Sequence, residues 1–282
     1  MRAQGAVSQW LTLYGAMPRS SWLGSISFLV MIDDLAPGCI MHKYVDDTTL
    51  TEVLKSNDRS SIQHYFCNLI NWIDENDMQV NTKKIKEIVF GSWARHNIDL
   101  LTSSSGEIER MSHFKLLGVY IEFTLAWNIH IDYITKKAAQ RLCFLKNTQK
   151  VWLNIATFAH YYVVAIRPIL EYCSSLWAHN LPTYLSDQIG SIQKRATRII
   201  HNPTIGMPCI SALTYAYVES LKIRRETQAR EFFKKILSPI SCLHSLLQPP
   251  RVDAILTRLR NPHRFPINHG TTKHVSHSSI VG

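Results

Sequence analysis

The sequence predicts an α+β fold in which a small front region of antiparallel strands and helices is followed by an all-α rear region. Two patterns carry this prediction. Short β-favouring runs separated by polar turns occur before residue 125, whereas the apolar residues beyond Trp127 recur at helical spacing. Apolar residues occupy 46% and charged residues 18% of the 282 positions, a composition that supports a packed core and excludes wholesale disorder.

The front region is expected to alternate helices with short strands. Apolar residues at helical spacing predict helices over 17–35 and 60–78. Between them, Val and Thr residues around a central Asp pair favour two extended runs joined by a tight turn in 39–51. The remaining strand candidates are 87–90 and 115–121, on either side of a polar, hairpin-like stretch at 103–106.

The rear region is expected to be helical and to end in a basic tail. The predicted helices are 131–146, 157–177, 184–200 and, after a break rich in Pro and Gly, 213–237. After residue 250, the abundance of Pro, Asn, His and basic residues predicts loose order. These patterns divide the chain into regions 1–125, 126–205 and 206–282.

The charge of +10 is unevenly distributed: the net charge is −2 over 1–100, +5 over 101–200 and +7 over 201–282. A basic rear suits a polyanionic partner such as nucleic acid, and an ordinary solvated surface is the alternative. The six cysteines are scattered without a CxxC pair, which predicts reduced thiols and an intracellular protein. No apolar run is long enough to span a bilayer, so no membrane partner is expected.

Adjacent acidic residues occur twice in the front region, and the second pair is the candidate metal site. Asp33-Asp34 lies at the end of a predicted helix and precedes Pro37, where helix termination and solvation explain it. Asp46-Asp47 lies at a turn in a β-favouring run, where two carboxylates repel each other unless water or divalent cations surround them. Two such cations assist phosphoryl transfer by holding the attacking and leaving oxygens. A polar β-turn without a metal is the alternative.

A series of motifs in order along the chain resembles the reverse transcriptases of non-LTR, LINE-type retrotransposons of the jockey-like group. Residues 42–50 resemble their YxDD hairpin, and residues 114–119 resemble their FKxLG hairpin. Further similar segments are 15–35 (GxPQGSxLGPxxF…xNDL), 72–87 (W…N…NxxKTK) and the thumb-like segments 127–142, 166–177 and 192–196. The resemblance implies an incomplete right-hand polymerase palm followed by an all-α thumb-like region and a tail.

The resemblance further implies an RNA-directed DNA polymerase with Mg²⁺ as its cofactor and an RNA template and a DNA primer as its partners. Asp46 and Asp47 correspond to catalytic metal ligands, and Tyr44 to a residue beside the template–primer. Lys84 corresponds to a lysine that protonates the leaving pyrophosphate or steadies the nucleotide, and a solvated lysine is the alternative. For an enzyme of this kind the nucleus is the expected compartment.

Two groups of residues are candidates for nucleic-acid contact. Phe114, Lys115 and Gly118 fall in the hairpin that, by resemblance, grips the primer strand, and core packing is the alternative for the apolar positions. Contacts from basic residues to phosphate are independent of sequence and sensitive to salt. The second group lies on a predicted rear helix and consists of Lys194, Arg195 and Arg198.

Two departures from the family pattern bear on activity. The family's upstream palm strand with a further Asp is not found in these 282 residues, and Arg19-Ser20 stands where the family has Gln-Gly. A Ser in place of Gly adds a side chain where the backbone approaches the nucleotide. We therefore expect negligible polymerase activity from the chain alone. A non-catalytic nucleic-acid-binding protein and a transposon relic without a maintained role are the alternatives.

Overall fold

The structure, a computed structural model, describes residues 2–3, 6–7, 22–55, 58–91, 93, 98–104, 106–148, 154–179, 181–247 and 249. Within these residues it confirms the predicted mixture of helices and small antiparallel sheets. The strands form two-stranded antiparallel pairs: β1 (Arg2–Ala3) with β2 (Ala6–Val7), β3 (Ile40–Tyr44) with β4 (Asp47–Thr51), β5 (Thr102–Ser103) with β6 (Gly106–Glu107) and β7 (His113–Leu116) with β8 (Val119–Glu122).

Helices account for most of the structure after β8. The α-helices are α1 (Trp22–Met31), α2 (Ile62–Glu75), α3 (Asn128–Thr148), α4 (Ile155–Tyr161), α5 (Arg167–Glu171), α6 (Ser174–Trp177), α7 (Thr183–Ile200), α8 (Cys209–Tyr215) and α9 (Leu221–Ile236). Single turns of 3-10 helix lie at Thr82–Lys84, Asn202–Thr204 and His244–Leu246. None of the helices in the described part of the chain combines the length and the apolar character that a membrane crossing requires.

The chain divides into two compact units, Met1–Met111 and Ser112–Gly282. The first boundary predicted from the sequence lies at residue 125, and the segment between the two boundaries contains the β7–β8 hairpin. Val119 of β8 is buried in the same apolar core as the helices that follow it. The hairpin therefore belongs structurally with the helical unit.

The first unit has a small apolar core around α2. Phe66 of α2 is buried together with Leu101 and Ile108, which lie on either side of the β5–β6 pair. The partly buried residues around them are Ile62, Leu69, Ile70 and Ile85. The apolar stripe predicted over residues 60–78 is thus confirmed as the packing face of a helix.

Polar side chains tie the elements of the first unit together where the core is small. Glu52, directly after β4, accepts hydrogen bonds from the Ser60 hydroxyl at 2.7 Å and from the Ser61 amide at 2.8 Å. The Gln63 side chain accepts from the Thr102 amide at 2.8 Å and donates to the Thr102 carbonyl at 3.0 Å. These bonds fix the β3–β4 and β5–β6 pairs to α2.

One strand prediction in the first unit is wrong. Residues 87–90 form no ladder; Glu87 makes a single bridge to Arg110, and its carboxylate accepts from Arg110 Nε at 2.7 Å. The same guanidinium donates to the carbonyls of Ile98 and Asp99, both at 2.9 Å. A single side chain thus joins three segments here, and it takes the place of the backbone ladder that the β-favouring residues predict.

α1 occupies part of the helix predicted over 17–35, and residues 17–21 lie outside the described residues. Although α1 is almost wholly apolar, it buries none of its residues, and Trp22 is 89% exposed. The helix is therefore confirmed over Trp22–Met31, but its apolar residues form no buried packing face among the described residues.

The second unit is built around one helical core. Residues from α3, α7 and α9 are almost completely buried in it, together with two tryptophans, Trp127 and Trp177 of α6. The fully buried members include Ile131, Leu142, Ile166, Leu170, Ile189 and Leu221. The helical periodicity predicted beyond Trp127 is therefore confirmed.

The single helix predicted over 157–177 is broken into α4, a π turn (Tyr162–Ile166), α5 and α6. Pro168 explains the π turn, because a proline cannot donate a hydrogen bond to the carbonyl four residues earlier. The amide of Arg167 instead bonds the carbonyl of Tyr162, five residues back. α6 then begins after Cys173, whose φ of 51° breaks the helical backbone.

The helix predicted over 213–237 is likewise two helices, α8 and α9. Tyr217 adopts a φ of 52° and ends α8, while the Val218 amide bonds the Leu213 carbonyl at 3.0 Å, the pattern of a Schellman motif. The Ser220 hydroxyl then caps α9 by accepting from the Ile223 amide at 3.3 Å. A left-handed tyrosine is not a stop signal that sequence patterns reveal.

Candidate functional site

The β3–β4 pair carries the two adjacent aspartates, and we call it the acidic hairpin. Its register pairs Ile40 with Thr51 and Tyr44 with Asp47, so that Val45 and Asp46 form a two-residue loop. The predicted antiparallel hairpin with the Asp pair at its turn is thereby confirmed. Tyr44, Asp46 and Asp47 are all exposed, which makes both carboxylates and the phenol accessible to a ligand.

Val45 gives the acidic hairpin a strained loop. Its φ is 54°, and among the described residues of this loop it alone is in the left-handed region. A two-residue loop whose first residue has a positive φ follows the type II′ pattern, which favours glycine at that position. A β-branched side chain there costs on the order of 1–3 kcal/mol. The strain lies directly beside the two carboxylates.

Among the described residues, the candidate metal site at the acidic hairpin consists of the Asp46 and Asp47 carboxylates alone. Within those residues, no group of three His, Cys, Asp or Glu side chains is suitably placed to hold a metal ion. Lys84 is exposed at the end of the 3-10 turn, and no hydrogen bond joins it to Asp46 or Asp47 in the described part of the first unit. The role of Lys84 stays a prediction from the resemblance.

The β7–β8 hairpin has a different two-residue loop, Leu117-Gly118. Both residues have positive φ, 46° for Leu117 and 89° for Gly118, as a type I′ turn requires. Phe114 is half-buried, so core packing accounts for at least part of its role. Lys115, on the same strand, is exposed.

Although Lys115 is exposed, its ammonium group contacts two tyrosines. Its ammonium donates to the Tyr133 hydroxyl at 3.0 Å and lies 4.5 Å from the centre of the Tyr133 ring and 5.5 Å from that of Tyr120. The hydrogen bond lowers the pKa of the Tyr133 phenol and raises the pKa of the Lys115 ammonium. Lys137 approaches the same ring at 5.9 Å. The ammonium groups of Lys115 and Lys137 therefore both lie close to the Tyr133 ring.

This cluster continues along α3 as a surface that we call the basic–aromatic stripe. Its members are Lys115, Tyr120, Tyr133, Lys137, Arg141 and Phe144. The four α3 residues fall within about 80° of one another on the helix and span about 16 Å along its axis. Phe144 is supported by Tyr161 of α4, with ring centres 5.5 Å apart. Alternating cations and rings suit a nucleic-acid backbone and its bases.

The three basic residues predicted on the rear helix all lie on α7, but they differ in accessibility. Arg195 is exposed and Lys194 is half-buried. Arg198 donates to the Met207 carbonyl at 3.5 Å, and its Nε is buried without a hydrogen-bond partner among the described residues. The Arg198 guanidinium is therefore partly engaged within the protein, and its contact to phosphate stays a prediction.

Sequence reasoning missed residues that hold this site together. Tyr133 has no motif of its own, although its spacing of four from Lys137 was available as a signal. Gln193 belongs to a basic segment, yet it is 2% exposed and joins α7 to α9. Its side chain donates to the Glu219 carbonyl at 2.8 Å and accepts from the Leu221 amide at 3.0 Å.

Comparison of the chain with protein-family models, with curated proteins and with solved structures gave no match.

Proposed function

We propose that this chain is part of an RNA-directed DNA polymerase of the non-LTR retrotransposon type. In this proposal the acidic hairpin serves nucleotidyl transfer, and the helical unit holds an RNA template and a DNA primer. The observation that carries the proposal is the acidic hairpin: a Tyr-Val-Asp-Asp sequence at a strained two-residue loop, with both carboxylates exposed. A loop that retains a strained valine beside two like charges is more costly than an ordinary polar turn.

The two carboxylates fit a Mg²⁺ ion that is shared with a nucleotide. Mg²⁺ prefers oxygen ligands and is commonly held by one or two carboxylates together with substrate phosphates and water. Because the described residues bring no third acidic, His or Cys side chain to the pair, Asp46 and Asp47 are expected to hold an ion only when phosphates complete its shell. When bound, such an ion neutralises charge that develops on the transferred phosphoryl group.

The second candidate function is nucleic-acid binding without catalysis. The basic–aromatic stripe favours it, because the stripe is formed entirely by the β7–β8 hairpin and α3 and needs no carboxylate. Lysine and arginine would contact phosphates, and exposed rings would stack on bases at unpaired positions. In this case the acidic hairpin is a feature of ancestry only.

Nucleotide-dependent Mn²⁺ binding separates the two functions. With Mn²⁺ as the probe, electron paramagnetic resonance should show binding to the full chain when a deoxynucleoside triphosphate is present. Asp46→Asn should abolish the protein-dependent part of the signal, while the matched control Asp99→Asn, at another exposed aspartate of the same unit, should leave it unchanged. Binding that is indifferent to Asp46→Asn would contradict the polymerase proposal and leave only the second candidate.

Primer extension tests the same proposal at the level of chemistry. We expect negligible extension of a primed RNA by the isolated chain in Mg²⁺, because two carboxylates alone cannot organise two ions that each prefer about six oxygen ligands. The measurement is gel-resolved extension of a labelled primer. Robust extension that Asp46→Asn abolishes would show that the chain contains a complete catalytic site.

A further inference from the structure

The tip of the β7–β8 hairpin is tied to the helical core by one tyrosine. Tyr172, in the turn after α5, donates a hydrogen bond from its hydroxyl to the Leu117 carbonyl at 2.9 Å. Leu117 is the first loop residue of the hairpin, and the two residues are 55 positions apart in sequence. The bond therefore joins two segments that the sequence analysis treats as separate motifs.

The backbone of Tyr172 is held in place by a hydrogen bond from the buried core. The indole Nε1 of Trp177 donates to the Tyr172 carbonyl at 2.9 Å, and Trp177 is 1% exposed. The rings of Trp177 and the buried His130 meet edge to face, with their centres 5.5 Å apart. The backbone on which Tyr172 is mounted is thus fixed to a fully buried aromatic pair.

The same aromatic pair also contacts the hairpin directly, through strand β8. Nδ1 of His130 accepts from the Tyr120 amide of β8 at 3.3 Å. The contacts therefore form a closed path from Tyr120 through His130, Trp177 and Tyr172 to the loop at Leu117. A two-stranded hairpin is marginal by itself, and anchoring at both a strand and its tip removes its freedom to bend.

Gly118 shows how closely Tyr172 fits the hairpin tip. A β-carbon at Gly118 would lie 3.4 Å from Cε1 of Tyr172, an ordinary van der Waals distance, whereas the φ of 89° disfavours any side chain. The tip therefore requires glycine because of its backbone conformation, and the tyrosine ring packs closely against it. The Phe-Lys-Leu-Leu-Gly loop and Tyr172 form one fitted contact.

We propose that Tyr172 is a positioning residue that locks the β7–β8 hairpin, so that Lys115 is presented beside Tyr133 in one fixed place. Lys115 lies two residues before Leu117 on the strand that this lock holds. The proposed purpose of this lock is the contact of Lys115 with nucleic-acid phosphate, and that part of the inference rests on the proposed function. The existence of the lock rests only on the contacts around Tyr172.

The test compares Tyr172→Phe, which keeps the ring and removes the donor, with the control Tyr215→Phe on α8, which makes the same chemical change at an equally exposed position. Without nucleic acid, hydrogen–deuterium exchange of residues 113–122 should accelerate about five-fold in Tyr172→Phe, as expected for the loss of one hydrogen bond, and not in the control. Gly118→Ala, which strains the hairpin tip because the φ of 89° disfavours a side chain, should give the same local effect.

The second measurement is the salt dependence of binding to a labelled RNA–DNA duplex. Tyr172→Phe should lower the log–log slope by roughly 0.7–0.9, the value of one phosphate contact, because Lys115 is no longer held in place. A tether with a merely structural role would change exchange but not this slope, and that outcome overturns the positioning role. Unchanged exchange at residues 113–122 overturns the lock itself.

The two proposals fail in different ways. If the unaltered chain does not bind the duplex at all, the proposed function fails and the positioning role fails with it, while the exchange experiment still decides whether the lock exists. If the chain binds and the slope falls only in Tyr172→Phe and Gly118→Ala, both proposals are supported.

Discussion

At the scale of single residues, Val45 carries the most distinctive backbone of the candidate site. Glycine adopts its φ of 54° without a clash, so Val45→Gly should stabilise the acidic hairpin by about 1 kcal/mol after the greater flexibility of the unfolded chain is counted. Hydrogen–deuterium exchange of residues 40–51 should slow about five-fold. Val45→Ala, which keeps a β-carbon, should give a smaller change. Equal exchange in Val45→Gly and the unaltered chain would show that the loop is not strained.

His130 illustrates how burial of one residue makes stability depend on pH. It is completely buried, and burial lowers its pKa from 6.5 to about 4. Between those values the unfolded chain binds a proton that the folded chain excludes, so the stability of the helical unit falls as the pH drops from 6.5 toward 4. The loss from this residue approaches about 3 kcal/mol at the acid end.

Urea unfolding at several pH values tests this prediction. His130→Gln keeps a hydrogen-bond acceptor without a titrating group, and it should remove this part of the pH dependence. His160→Gln, at an exposed histidine of α4, should leave the dependence in place. Parallel pH profiles for the unaltered chain and His130→Gln would contradict the assignment.

At the scale of elements, α9 is joined to α7 through Gln193 as well as through apolar packing. Gln193→Leu keeps the volume but leaves the Glu219 carbonyl and the Leu221 amide without their partner, which should cost about 2–4 kcal/mol. Gln140→Leu, which makes the same chemical change at an exposed position of α3, is the matched control and should cost much less. Urea unfolding followed by circular dichroism checks both, and equal losses in the two variants would contradict the role of Gln193.

Local patterns predicted those elements whose own residues determine their structure. The acidic hairpin and α2 were predicted because β-branched residues around an Asp pair, and an apolar stripe at helical spacing, are local signals. The breaks in the rear helices could not be predicted in this way. Tyr217 ends α8 in a left-handed conformation that tyrosine rarely adopts, and the strand expected at 87–90 is replaced by the side-chain contacts of Arg110.

The chemically important residues of the candidate site could be predicted from the sequence, but their contacts could not. The motifs indicated Asp46, Asp47 and Lys115, because carboxylate pairs and basic hairpins are visible in sequence. The partners of Lys115 depend on packing between β7–β8 and α3, so only the structure shows that the Tyr133 hydroxyl lies 3.0 Å from the ammonium group.

At the scale of the whole molecule, the charge and the stripe point to the same partner. The chain carries a net charge of +10, to which residues 1–100 contribute −2 and residues 101–282 contribute the positive remainder. The basic–aromatic stripe lies within the positive part. A polyanion is attracted by the general field and would be positioned by the exposed cations of the stripe. We therefore expect the helical unit to bind nucleic acid through this surface.

The decisive measurement is a salt titration of fluorescence anisotropy with a labelled RNA–DNA duplex. It compares the full chain with two charge-reversed variants of equal net charge. The stripe variant combines Lys137→Glu with Arg141→Glu, and the control combines Lys222→Glu with Arg230→Glu at exposed positions of α9. We expect tight binding at low salt, a log–log slope that falls by roughly 1.4–1.8 in the stripe variant, and a near-normal slope in the control. Binding that is absent at low salt, or that both variants weaken equally, would contradict it.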